Sequence, residues 1–182
     1  MRKILYSVVI LDTIMNKHPQ HTLNDKWDLY YHLPNDRKWN LESYTIISKN
    51  IEIAEDLIAI NNALTETIVK KSMLFLMRNG ITPLWEDPRN RNGGCFSFIV
   101  SNKIVKNIWT IMSYLLCGET LTISPEHARH INGITISPKT TFCVIKIWLD
   151  TVDSEYQNVN IIRDIVNLSK EGCIFKKHSP EF

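Results

Sequence analysis

No Cys-x-x-Cys pair occurs in the 182 residues, and the four cysteines, Cys95, Cys117, Cys143 and Cys173, stand far apart. That spacing argues against a zinc framework and reads as small buried hydrophobes in a reducing compartment. His127-x-x-His130 has no third ligand near it, so both are expected to be loop histidines and no metal is expected. A P-loop, a Gly-x-Ser-x-Gly elbow and a Nudix-type glutamate-rich helix are all missing. With no nucleophile, metal site or acid–base pair in view, the chain does not read as an enzyme, and no cofactor is expected. An excess of one charge is missing too: 21 Lys and Arg stand against 19 Asp and Glu, a formal +2. Any nucleic-acid contact is therefore expected to be small and local, not a long backbone footprint. No apolar run approaches the roughly 20 residues that cross a bilayer. Met1-Arg2-Lys3 followed by apolar residues 4–11 outlines a signal peptide. Asp12 cuts its apolar region short and no small-x-small site follows, so secretion is not expected.

What is present is ordinary in bulk, with 44% hydrophobic and 22% charged residues, and is enough to bury a core. One domain is expected over residues 21–182, after an apolar N-terminal segment, residues 1–20. Within that segment, residues 4–11 read as a strand or short packed piece that must be buried against this chain or a partner. Strands are predicted at 27–32, with Trp27, Leu29 and Tyr31 on one face, and at 43–47, 72–77 and 95–100. Residues 134–136 and 143–149 read as a hairpin pair, and 173–177 as a last strand. A helix is predicted over 53–64, with Ala54, Leu57, Ile58 and Asn61 on one side. A second covers 103–117, with Val105, Ile108, Met112 and Leu115 at helical spacing and Gly118 as its C′ residue. A third is expected from Asp153 or Ser154, with Ile161, Ile162, Ile165 and Leu168 on its face and Gly172 at its end. Strands and helices mix without strict βαβ alternation, which predicts an α+β fold.

The most informative stretch is 79–94. Asn79-Gly80 and Asn92-Gly93-Gly94 mark turns at its two ends. Between them, Trp85 and Glu86 sit on a loop stiffened by Pro83 and Pro88. A Trp beside a Glu offers one flat π face and one bidentate acceptor edge. Guanine fits that combination, because its ring stacks while N1–H and the N2 amino group both donate along one edge. A bare Trp-Glu pair is far more often a partly buried indole beside a solvated carboxylate, so the dipeptide alone settles nothing.

The string Pro83-Leu84-Trp85-Glu86-Asp87 with Asn92-Gly93-Gly94 resembles the guanine-recognition loop of the translation initiation factor 4E family, which binds the 7-methylguanosine cap of mRNA. Further anchors are His21-x-Leu23 with Trp27, Ile47-Ser48-Lys49, Trp109, Leu116-Cys117-Gly118-Glu119 and Ile145-x-Ile147-Trp148. The resemblance implies a strongly curved antiparallel β-sheet with about three α-helices packed on its convex face and the ligand on the concave side. It implies that Trp39 and Trp85 sandwich the base, that Glu86 reads its edge, and that Trp148 lies against the N7-methyl. Trp39 falls one position early, a shift that a loop absorbs and a strand would not; otherwise Tyr44, or nothing, takes its place. Strand alternation puts Val144, Lys146 and Trp148 on one face.

Departures are concentrated at the phosphate and partner positions. Lys139 fits one of the family's basic positions, but Thr141 and Val144 occupy two others and Cys95 replaces a fourth. Lys146 is the expected substitute, with Arg89, Arg91, Lys176 and Lys177 as weaker candidates. The family's scaffold partner, initiation factor 4G, docks on the convex side through a His-Pro, a helix Trp and a Leu-Glu pair. Here His21 is followed by Thr22, Ile58 stands where the Trp belongs, and Thr110 and Ile111 fall where Leu-Glu would be. The usual scaffold peptide is therefore expected to bind poorly, with either a divergent equivalent in its place or the apolar N-terminal segment covering part of this surface. The expectation is a monomeric cytoplasmic cap-binding factor that promotes initiation through a non-standard partner. The alternatives are a cap-binding repressor, or an interaction module that no longer reads caps. Abundant Ile and Asn fit an AT-rich genome such as that of a parasite or large virus, in which case the compartment is the host cytoplasm.

Overall fold

The computed structural model describes residues 20–180, so the segment read at 4–11 lies outside the described residues. Seven strands form one antiparallel sheet: β1 (Thr22–His32), β2 (Tyr44–Ile53), β3 (Met73–Arg78), β4 (Gly94–Ser101), β5 (Ile131–Pro138), β6 (Phe142–Leu149) and β7 (Ile174–Lys177). Their order across the sheet is β2-β1-β3-β5-β6-β4-β7. Helices α1 (Ala54–Ala63), α2 (Glu66–Lys71), α3 (Val105–Cys117) and α4 (Pro125–Ala128) complete the α+β fold.

The period of two sorts each strand into two faces. On the helical face, Leu74 and Leu76 of β3 join Cys143, Ile145, Ile147 and Leu149 of β6 in the main core, with Trp27 and Leu29 of β1. Helix α3 contributes Val105, Ile108, Trp109, Met112 and Leu116 to the same core, at the 3.6-residue spacing of an apolar stripe. On the opposite face, Phe75, Met77 and Trp148 make a second cluster with Tyr30 and Ile81, against which Tyr44, Met73 and Trp85 are partly packed. Alternation thus turns Trp148 away from the helices.

Two expectations need correction. Residues 153–172 do not form a third helix; they contain only two short 3-10 turns, Ser154–Gln157 and Val159–Ile161. Ile161, Ile162 and Ile165 are buried as the stripe required. The backbone there bonds to a distant segment instead: Ile123 N–H donates to Ile161 O and Arg163 N–H to Leu121 O, each at 2.9 Å. Thr122 and Ile162 form an isolated bridge between the two bonds. Non-local pairing wins here because Asn and β-branched residues leave little helix propensity to overcome. A helix that the sequence reading did not predict is the six-residue α2, capped by Thr65, whose hydroxyl accepts from Ile68 N–H at 3.3 Å.

The second correction concerns His127, which lies in the short helix α4 and not in a loop. Smaller differences follow the same pattern. The left-handed residue after α3 is Glu119 (φ 54), while Gly118 takes φ −83. Ile58 lies outside the buried side of α1, where Leu57 and Asn61 sit, and is 45% exposed.

Candidate nucleotide-binding site

The loop from β3 to β4 crosses the ends of β5 and β6, because those two strands lie between its endpoints in the sheet. Its shape is fixed by polar side chains turned inward. The Asp87 carboxylate accepts from Thr82 N–H (2.8 Å), Thr82 Oγ1 (2.7 Å) and Arg89 N–H (2.9 Å). Asn90 is fully buried. Its Nδ2 donates to Thr82 O and Leu84 O, both at 2.8 Å, and its Oδ1 accepts from Asn132 Nδ2 of β5 at 2.9 Å. A loop whose buried polar groups are satisfied in this way holds one conformation. Trp85 and Glu86 ride on its outer side.

Trp39 comes from the β1–β2 connection. Lys38 N–H donates to Asp36 Oδ1 at 2.9 Å, and Asn40 caps the 3-10 turn Leu41–Ser43 that leads into β2. Trp39 is 52% exposed and lies flat on His32, with ring centroids 4.3 Å apart and planes 1° from parallel. Tyr44 O–H donates to Pro83 O at 2.9 Å, tying the two loops together. Burial, and then the Glu86 carboxylate, push the Tyr44 phenol well above its ordinary pKa.

Trp39, Trp85, Glu86, Trp148 and Lys146 line one cavity of about 900 Å³, floored by Tyr44 and Phe75. Trp148 is nearly buried there and its Nε1–H has no partner. Lys139 is not among the lining residues; it sits in the β5–β6 turn, where its N–H donates to Phe142 O at 2.8 Å. Lys176, only a weak sequence candidate, does not line the cavity either, but its ammonium lies 5.8 Å from the Trp85 ring centroid, against 5.9 Å for Lys146. Register explains this, since Cys95 of β4 stands opposite both Trp148 of β6 and Lys176 of β7. Burial pushes the Cys95 thiol up, against the pull of Lys146 and Lys176.

Sequence reasoning missed His178, Thr135 and Ser137. The hydroxyl residues line the cavity from β5, and an alternation analysis of that strand would have found them. On the helical side, His21 Nδ1 lies 2.7 Å from Glu55 Oε1 near the exposed Ile58, while Thr110 and Ile111 are half-buried in α3.

The sequence model of the Eukaryotic initiation factor 4E family matches residues 22–181. The chain belongs to that family. It is 30% identical over 169 residues to the initiation factor 4E of Eremothecium gossypii, a match covering 86% of this chain and 70% of that protein. It is 45% identical over 63 residues to a factor 4E homolog of Acanthamoeba polyphaga mimivirus, which is 35% of this chain and only 23% of the viral protein. Among solved structures, the Schistosome factor 4E complexed with m7GpppG and 4E-BP superposes with a TM-score of 0.67 at 23% identity, covering 76% of each chain. Caenorhabditis elegans eIF4E-3, solved with the 4E-binding protein Mextli and a cap analog, gives 0.63 at 23% identity over 74% of this chain and 76% of that one. At those identities the superposition establishes the 4E fold. This family member keeps that fold with a lysine pair beside Trp85.

Proposed function

We propose that residues 21–182 form a single domain that binds the 7-methylguanosine cap of mRNA in the 900 Å³ cavity. One observation carries the reading: three separate stretches of chain, around Trp39, Trp85-Glu86 and Trp148, line one cavity. Methylation at N7 gives guanine a delocalised positive charge. Between the faces of Trp39 and Trp85 that charge adds about 0.5–2 kcal/mol per face to stacking of about 1–3 kcal/mol. Two faces supply roughly one to three decades of preference over unmethylated guanine. Glu86 accepts from N1–H and the N2 amino group, the Trp85 N–H reaches O6, and Trp148 lies against the methyl group.

Tryptophan fluorescence titration tests this with 7-methyl-GTP and GTP. Wild type is expected to be quenched by the methylated ligand. Glu86→Gln, which turns charge-assisted bonds of about 1.5–3 kcal/mol into neutral ones, is expected to bind at least tenfold more weakly. Equal quenching by both nucleotides, or by neither, would sink the reading.

The phosphates fall to Lys146 and Lys176, with Lys139 further out at the turn. Lys146→Ala is expected to weaken 7-methyl-GTP several-fold and to leave the uncharged nucleoside 7-methylguanosine unchanged, because an ammonium–phosphate contact contributes only to the former. The salt dependence of binding should fall with it. An equal loss for both ligands would remove Lys146 from this role.

Downstream, the reading is a cytoplasmic factor, in the host cytoplasm if the chain is viral. It promotes translation initiation through a divergent equivalent of the 4G scaffold, and no catalytic step is involved. Ile58 in place of an aromatic anchor, with Thr110 and Ile111 in place of Leu-Glu, supports a non-standard partner. The same substitutions support a second reading, a cap-binding repressor that holds mRNA without recruiting the usual scaffold.

A further inference from the structure

Two histidines outside the cavity are arranged alike, although they come from opposite ends of the chain. His32, the last residue of β1, is fully buried and lies parallel to Trp39. Its Nε2–H donates at 2.8 Å to Lys38 O, the carbonyl just before that tryptophan. His178 follows β7 and lies on Trp85, centroids 5.7 Å apart and planes 12° from parallel. It also touches Trp148, at 4.9 Å between centroids. Its Nδ1–H donates to Asn90 O at 2.7 Å and its backbone N–H to Gly93 O at 2.9 Å, both in the loop that carries Trp85.

Trp39, Trp85 and Trp148 all line the cavity, and neither histidine does. Each imidazole therefore packs against a cavity-lining indole without itself lining the cavity. Each also leaves its second ring nitrogen, His32 Nδ1 and His178 Nε2, buried without a partner. Buried polar groups are ordinarily satisfied, so a pair of such atoms behind two stacking residues asks for a reason.

We infer that His32 and His178 are positioning residues for cap recognition: each presses one indole from behind and fixes the tilt at which its free face meets the base. The inference rests on the cap-binding reading above. A flat ring held by a bond to the tryptophan's own loop couples indole orientation to that loop, which an aliphatic side chain would not do. Charge matters as well. Burial, with Lys146 close by, pushes the His178 pKa down against the opposing bond to Asn90 O, which disfavours a charged ring there.

The test separates ring from hydrogen bond. His32→Gln keeps a donor near the Nε2 position and His178→Asn keeps one near Nδ1, and both lose the ring. His32→Phe and His178→Phe keep the ring and lose the donor. In fluorescence titrations, the ring-deleted variants are expected to lose about three- to tenfold in 7-methyl-GTP affinity, the worth of one aromatic pair. Their preference over GTP should shrink in step, while each Phe variant stays closer to wild type than its ring-deleted counterpart. Independently of ligand, acrylamide should quench Trp39 more in His32→Gln than in wild type or His32→Phe, with Trp39→Phe isolating that indole's signal. Phe variants that lose as much as Gln and Asn, or ring-deleted variants with unchanged methyl preference and unchanged quenching, would overturn the assignment. Should wild type fail to bind 7-methyl-GTP, the cap reading falls, and the ligand-free quenching alone decides whether His32 supports Trp39.

Discussion

Gly93→Ala should be among the most damaging single-methyl changes in the chain. A Cβ there would stand 1.8 Å from Leu149 O and 2.8 Å from Leu149 C, both backbone atoms of β6. No side chain can turn aside to relieve that overlap. Either the start of β4 lifts away, breaking the Gly94–Leu149 pairing, or the loop carrying Trp85 is displaced. Overpacking typically costs about 1–3 kcal/mol, and a clash against fixed backbone belongs at or beyond the upper end. For a chain of this size each kcal/mol lowers the melting temperature by about 2–4 °C, so a fall of roughly 10 °C is expected. Gly172→Ala is the comparison. Nothing lies within 4 Å of its Cβ position, and only the left-handed φ of 74° opposes the methyl. That costs about 1–2 kcal/mol. Thermal melts followed by circular dichroism would decide. A Gly93→Ala melt no lower than that of Gly172→Ala would show that β6 yields more easily than its place in the sheet implies.

Asn90→Asp is the second large effect, and it falls on binding. The Asn90 amide donates to two carbonyl oxygens and accepts from Asn132 in a site without solvent access. Replacing the amide by a carboxylate sets oxygen against oxygen at both Thr82 and Leu84. A buried charge or unmatched acceptor of this kind costs about 1–3 kcal/mol per group, and more when ionised. The loop then has no reason to keep Trp85 and Glu86 where they are, and 7-methyl-GTP affinity is expected to drop a hundredfold or more, with far-UV circular dichroism largely retained. Affinity within threefold of wild type would show that the loop is held mainly by Asp87 and the prolines.

The contrast between these two sites marks what could be read from sequence. The period of two in Leu74-Phe75-Leu76-Met77 and in Val144-Ile145-Lys146-Ile147-Trp148 is local, so the strands and the outward turn of Trp148 were both legible. The pairing of Asn-Gly turns around Trp85-Glu86 was equally local. Residues 161–168 were not, because a stripe of isoleucines satisfies a helix and a buried extended segment alike, and bonds to Leu121 and Ile123 decide between them. His178 was missed as a site residue, and Lys176 stood only as a weak candidate, for the same reason: their position depends on β7 adding beside β4, which no spacing within 173–178 announces. Helix α2 was hidden by its length, six residues after a Thr cap.

The way the Trp85 loop is strung has a consequence for synthesis. It leaves β3 and returns in β4, passing over a hairpin made more than thirty residues later, and its last anchor is His178. A growing chain that has delivered Trp39, Trp85 and Glu86 still lacks the β5–β6 floor and the β7 clamp. The nascent chain is therefore expected to be unable to hold its ligand on the ribosome until residue 178 has emerged. Ligand capture would then mark the completion of folding, and a stalled or truncated copy would not compete for the same target.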